Sequence, residues 1–224
     1  MKRFITVFCI FCGAALLSAE NTGISFSAGA SYTDHFSRVM LDASAASASP
    51  LWAQMKTGTV YERNKAAGFS FDARLYYFYT MLSVAFPQKS SGSVLSAAPP
   101  KDMPLSSGAY MLDVQMGAGY TFFKEKPVTL FVGGGFGLNS KKSITEVSGK
   151  EYLRADTLIG AGANILLSFY PLSKCGFYVG AADSVYFYPI KTQRMLDGVE
   201  LNNTAVKKTL ANSFNIKGGI VIRL

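Results

Sequence analysis

The chain has 224 residues, which suits one domain. Only 16% of them are charged and 49% are hydrophobic, whereas a soluble domain carries about a quarter charged residues. The formal net charge is +8. No run past the N-terminus reaches the ~18 uninterrupted apolar residues of a membrane helix, which leaves a closed β-barrel as the structure that satisfies its backbone in lipid.

Lys2 and Arg3 precede an apolar stretch from Phe4 to Leu17, and Leu17-Ser18-Ala19 offers a small-residue cleavage point before Glu20. This predicts a secretory signal peptide over 1–19 and a mature domain over 20–224. Cleavage removes Cys9 and Cys12 and leaves Cys175 alone, so no intramolecular disulfide can form. It also leaves 20 basic residues against 14 acidic.

The first strand lies near 22–36. Ile24, Phe26, Ala28, Ala30 and Tyr32 alternate with Ser25, Ser27, Gly29, Ser31 and Thr33, and side chains change face at every strand residue. A long loop over 37–66 follows, with an Ala/Ser run and then Trp52. Strands near 67–78 and 80–86 are joined around Tyr79. The loop 87–107 is rich in Ser, Ala and Pro.

The alternation is clearest over 108–123. Tyr110, Leu112, Val114, Met116, Ala118, Tyr120 and Phe122 form one face, and Asp113 and Gln115 fall on the other. Globular strands average about 5–6 residues; this one has the length of a tilted membrane strand. Further strands lie near 128–139, 154–170, 176–190 and 211–224, with long loops over 140–153 and 191–210. Short turns fall at Lys124 to Pro127 and Pro171 to Cys175. In the last strand Phe214, Ile216, Ile220 and Ile222 oppose Asn215, Lys217 and Arg223. In 176–190 an outward Phe177 set would carry Asp183 into lipid, which is costly at mid-depth. That predicts either the tyrosine set outward or a β-bulge that changes parity.

Long and short connections alternate around eight strands. This predicts an all-β, closed antiparallel transmembrane barrel in an outer membrane, with both termini periplasmic and the long loops outside. The segment with GAGYTFF, a short Lys/Pro turn and PVTLFVGGGFGLN resembles the small barrels of the outer membrane protein W family. The local likeness covers two strands and a turn, and the architecture spans most of 20–224. The resemblance implies passage of small hydrophobic molecules across the outer membrane. These barrels usually end on an aromatic residue that the barrel assembly machinery reads, whereas this chain ends in Leu224, as a spirochaetal relative with a relaxed end signal would.

Strand parity points Asp72, Arg74, Asp113, Asp156, Lys217 and Arg223 into the lumen. An eight-stranded barrel has room there for side chains but not for an open pore, so paired acids and bases are expected to plug it. The loops carry the whole basic excess. Trp52, Lys56 and Arg63 in 37–66 are the candidate contact residues if the protein is instead a surface adhesin or structural barrel that binds host or anionic ligands.

A lipid-modifying enzyme is the least favoured reading. It would need His35, which falls on the inward face, to work with Ser31 or Ser37 and Asp34. Gly133-Gly134-Gly135-Phe136-Gly137 lies within a strand, not before a helix, so it relieves crowding and cradles no phosphate. One histidine and one mature cysteine supply no zinc-type spacing. No cofactor, catalysis or nucleic-acid binding is expected. The expected partners are outer-membrane lipid, the assembly machinery, and a small hydrophobic or host-surface ligand.

Overall fold

The structure, a computed structural model, describes residues 23–41, 58–92, 101–103, 108–147, 150–200 and 206–224. The signal-peptide segment 1–19 lies outside them. The elements are β1 (Ile24–Leu41), β2 (Gly58–Leu75), β3 (Phe78–Gly92), β4 (Lys101–Met103), β5 (Tyr110–Phe122), β6 (Val128–Val147), β7 (Lys150–Phe169), β8 (Cys175–Leu196), β9 (Val199–Glu200) and β10 (Val206–Arg223). The eight long strands pair antiparallel in sequence order. β10 pairs with both β1 and β8, which closes the barrel.

Tight turns gather at one end. Leu75 pairs with Phe78 across Tyr76 and Tyr77, and Tyr76 takes a left-handed φ of 57°. The turn therefore precedes Tyr79, which the sequence places in it; Tyr79 lies in β3 with its ring buried in the lumen. The start of β1 and the end of β10 meet here as well, with the Leu224 amide donating to the Ile24 carbonyl at 3.0 Å.

The opposite, loop end differs from expectation. Much of 37–66, 87–107, 140–153 and 191–210 is strand. β6 and β7 stay paired out to Val147 and Lys150, so that loop shrinks to 148–149. Crossing the hydrocarbon takes only about 9–11 residues, yet β7 has 20 and β8 has 22. The extra length hides from hydrophobic alternation because charge stands on both faces. On β2, Arg63 and Lys65 point out while Glu62 and Asn64 point in.

The outward apolar run covers 24–32 on β1, 67–75 on β2 and, with Thr80 as its one polar member, 78–86 on β3. On β1 and β2 the next outward residues are Asp34 and Lys65, which mark the edge of the lipid-facing band. β8 corrects the expected parity. Phe177, Val179, Val185 and Phe187 face out, and Tyr178 and Tyr186 are buried inside. Asp183 is therefore on the outer wall. It is tolerated because Asn212 Nδ2 donates to its Oδ1 at 2.7 Å and because its row runs through Phe214 to Asp34, at the band edge. Bulges at Phe187 and Ile190 then put Tyr188 outward too.

Towards the loop end the single wall divides in two. The β3–β5 ladder stops at Ala85–Met111, and β3 next pairs with β4 from Ser90. The β8–β10 ladder stops at Tyr186–Ala211, while β8 continues along β7 and β10 along β1. The upper parts of β10, β1, β2 and β3 form one sheet. Those of β6, β7 and β8 form a second sheet facing it. Among the described residues, two slots in the hydrogen-bonded ladder separate these sheets.

Candidate functional site

The lumen is filled in tiers. Nearest the turn end, Lys217 Nζ lies 2.5 Å from Asp72 Oδ1, and both side chains are fully buried. Asn164 Nδ2 donates to the same oxygen at 2.8 Å. Arg74 donates to Ser27 Oγ at 3.1 Å, and its guanidinium lies 5.6 Å from the centre of the Phe131 ring. Tyr79 meets Phe131 edge-on at 5.3 Å. These rings pack with Leu166, Tyr170, Tyr178 and Val221. Glycine leaves them room: a Cβ at Gly133 would stand 2.7 Å from the Phe131 ring and 2.8 Å from that of Tyr79. Tyr79 also donates to Gln115 Oε1 at 3.2 Å, and Gln115 Nε2 donates to Ser184 Oγ at 2.6 Å.

The middle tier centres on Asp113. Asn139, Tyr186 and Ser213 donate to its carboxylate at 2.5, 2.9 and 2.6 Å. These hydrogen bonds take the place of a cation, because among the described residues Asp113 has no ion-pair partner.

The third tier joins the two upper sheets. Glu62 comes from the first. Lys141, Ser143 and Arg154 come from the second. Lys141 Nζ lies 2.7 Å from Glu62 Oε2 and Arg154 Nη2 2.7 Å from Oε1. Ser143 Oγ donates to Oε1 at 3.3 Å, and Lys141 also reaches back to Ser37 Oγ at 3.3 Å. Glu62 lies beyond Lys65, outside the lipid band. Burial pushes its carboxyl up, but Arg154 and Lys141 outweigh burial and hold it well below the usual carboxylate range. Next to this clamp, Arg194 binds Asp156 through both guanidinium nitrogens, at 2.7 and 3.0 Å.

Each slot has an apolar floor. Ala66, Ala85 and Met111 cluster where β3 leaves β5. Leu158, Tyr186 and Ala211 cluster where β8 leaves β10. Phe86 and Tyr110 stand exposed on either side of the first slot, just past the last pair. Phe187 and Leu210 do the same at the second.

Asp72, Arg74, Asp113, Asp156 and Lys217 are all buried on the inner face of the barrel. Arg223 does not join that network. It sits at the turn-end mouth, donating to the carbonyls of Ser173, Lys124 and Lys126, because it is the last residue of its strand. Arg63 is on the outer wall, bonded to Asp34 Oδ1 at 2.9 Å. Trp52 and Lys56 lie outside the described residues. His35 is buried in the lumen and neither ring nitrogen has a hydrogen-bond partner among the described residues. Ser31 and Ser37 share its face, but Asp34 points to the other, so Ser, His and Asp are not brought together. Sequence reasoning missed Glu62, Lys141, Arg154 and Arg194. For Lys141 the signal is a polar residue at every second position of 139–145, namely Asn139, Lys141, Ser143 and Thr145, and for Glu62 it is the polar pair Glu62 and Asn64 on one face.

Residues 15–224 match the family model described as a domain of unknown function, DUF2715. No curated protein matches the chain in sequence. Among solved structures, the outer membrane protein OprG from Pseudomonas aeruginosa is similar over 89% of this chain and 94% of its own, with 10% identity and a TM-score of 0.54. Neisserial surface protein A is similar over 91% and 98%, with 15% identity and a TM-score of 0.42. AlkL, an outer membrane protein solved in lipid bilayers, is similar over 92% of each chain, with 13% identity and a TM-score of 0.43. At these identities the likeness concerns fold alone: this chain has the fold of a small outer-membrane β-barrel.

Proposed function

The chain belongs to the DUF2715 family, and from that premise we propose that it takes small hydrophobic molecules from the outside and releases them sideways into the outer leaflet. The tight turns and both termini face the periplasm. The two upper sheets stand outside the bilayer. A molecule entering between them meets the Glu62 clamp at the centre, is diverted to an apolar flank, and leaves past Phe86 and Tyr110 or past Phe187 and Leu210.

One observation carries this reading: the wall ladder lapses at two places, each floored by an apolar cluster, above a lumen filled with side chains. A straight path to the periplasm would have to displace the Asp72–Lys217 pair and the Arg74–Phe131–Tyr79 stack. Desolvating an apolar solute at a side opening requires neither. The resemblance to the outer membrane protein W family supports the same cargo class.

The test uses a Cys175→Ser background, because Cys175 is exposed and free. Cysteines at Phe86 and Tyr110, or at Phe187 and Leu210, are bridged with a bifunctional maleimide in proteoliposomes. Bridging is expected to reduce entry of a fluorescent hydrophobic probe at one or both slots. Uptake unchanged with both slots bridged would overturn the reading.

A further inference from the structure

We propose that the outer wall of β1–β3 binds the phosphate of an outer-leaflet lipid between Lys65 and Lys89. The two lysines face one another directly across the β2–β3 ladder. Both are exposed on the outer face. Directly opposed like charges on neighbouring strands are destabilising, and here the opposition is built in. A register shift between Lys65 and Ala66 leaves Gln88 unpaired, and that extra residue turns Lys89 to the same face as Lys65. An anion placed between them converts the repulsion into two attractions.

The surroundings identify the anion as a lipid rather than a soluble ion. Lys65 marks the edge of the apolar band. Immediately below it on the outward face are Ala67 and Phe69, and below Lys89 is Phe86. Phe69 and Phe86 are exposed, with 69% and 48% of their surface accessible. A phosphate at the lysines therefore has acyl chains lying on phenylalanine rings. On the loop-end side the same wall holds an open groove of about 640 Å³, lined by Phe36, Tyr61, Arg63 and Phe214 among others, which can seat the rest of a headgroup. Arg38, 5.9 Å above the Tyr61 ring, and Arg63 add positive charge there. Each nearby carboxylate already has a partner: Asp34 is held by Arg63, Glu62, which also lines the groove, is held on its inner side by Lys141 and Arg154, and Asp183 accepts from Asn212. Lys65, Lys89, Arg38 and Arg63 outnumber the two outward carboxylates, Asp34 and Asp183, and leave the site electropositive at the height where phosphates lie.

The barrel, purified from membranes, is placed in nanodiscs containing equal amounts of phosphatidylglycerol and phosphatidylcholine, and retained lipids are counted by native mass spectrometry. The wild type should keep phosphatidylglycerol preferentially. Lys65→Gln with Lys89→Gln should reduce that preference by roughly fivefold per lysine. The pair Lys65→Arg and Lys89→Arg should retain it, and so should Lys174→Gln at the turn end. Heat-modifiable migration verifies that each variant is folded. Equal retention of the two lipids by the wild type would overturn the proposal. So would an undiminished preference in the Gln pair, an equal loss in Lys174→Gln, or displacement of the lipid by excess inorganic phosphate.

Discussion

Replacing Glu62 with Gln removes the negative charge that pairs with Lys141 and Arg154 across the two upper sheets. The side chain is 3% exposed, and its two cationic partners are 1% and 3% exposed. Breaking a buried pair by removing one partner costs about 3–5 kcal/mol, because the other charge is left uncompensated. Here two cations lose their counter-charge. Gln keeps one oxygen that can accept from Lys141 or Ser143, which places Glu62→Gln near the lower end, about 3 kcal/mol, and Glu62→Ala near the upper. The assay is urea unfolding in vesicles at pH 7, followed by heat-modifiable migration. Because the folded carboxyl titrates below its unfolded value of about 4.3, its stabilisation is complete above roughly pH 5 and is lost as pH falls towards the folded value. The gap between wild type and Glu62→Gln should therefore shrink below about pH 4. A gap under about 0.5 kcal/mol at pH 7, the size of an ordinary surface substitution, would refute the clamp, and so would a gap that acid leaves unchanged.

Gly133→Val should drive a branched side chain into Phe131 and Tyr79 and lower stability by about 1–3 kcal/mol, read as a fall in the temperature of heat-modifiable migration; Gly108→Ala, with open space around its Cβ position, tests only its positive φ and should cost less. Lys217→Met should leave Asp72 buried and unpaired, and adding Asp72→Asn should recover much of the loss, giving a coupling of at least about 1 kcal/mol in a double-mutant cycle. Planar bilayers containing the wild type should show no steady ion conductance, because side chains fill the turn-end half of the lumen; a stable open level would contradict that filling.

The lipid-embedded half was legible in the sequence, because there one face must be apolar. Tyr110 to Phe122 and Phe214 to Ile222 show that face directly, and their inward partners Asp113 and Lys217 follow from parity. Above the band that rule stops applying. Arg63 and Glu62 are adjacent, both charged and on opposite faces, so the continuing strand reads as a loop and the clamp it carries disappears with it. Asp183 misled for a related reason: a carboxylate facing outward is acceptable at the band edge with Asn212 beside it, and that neighbour comes from a separate strand. The slots were not legible at all, since they depend on which ladder ends first, and pairing partners do not appear in a single strand's pattern.

The central claim is lateral release above a sealed lumen, and one paired measurement tests it most directly. Proteoliposomes are assayed together for uptake of a hydrophobic probe and for leakage of a small hydrophilic dye, before and after both slots are bridged. The account predicts uptake without leakage before bridging, and loss of that uptake after it. Dye leakage through the unbridged barrel, or full probe uptake with both slots bridged, would contradict it.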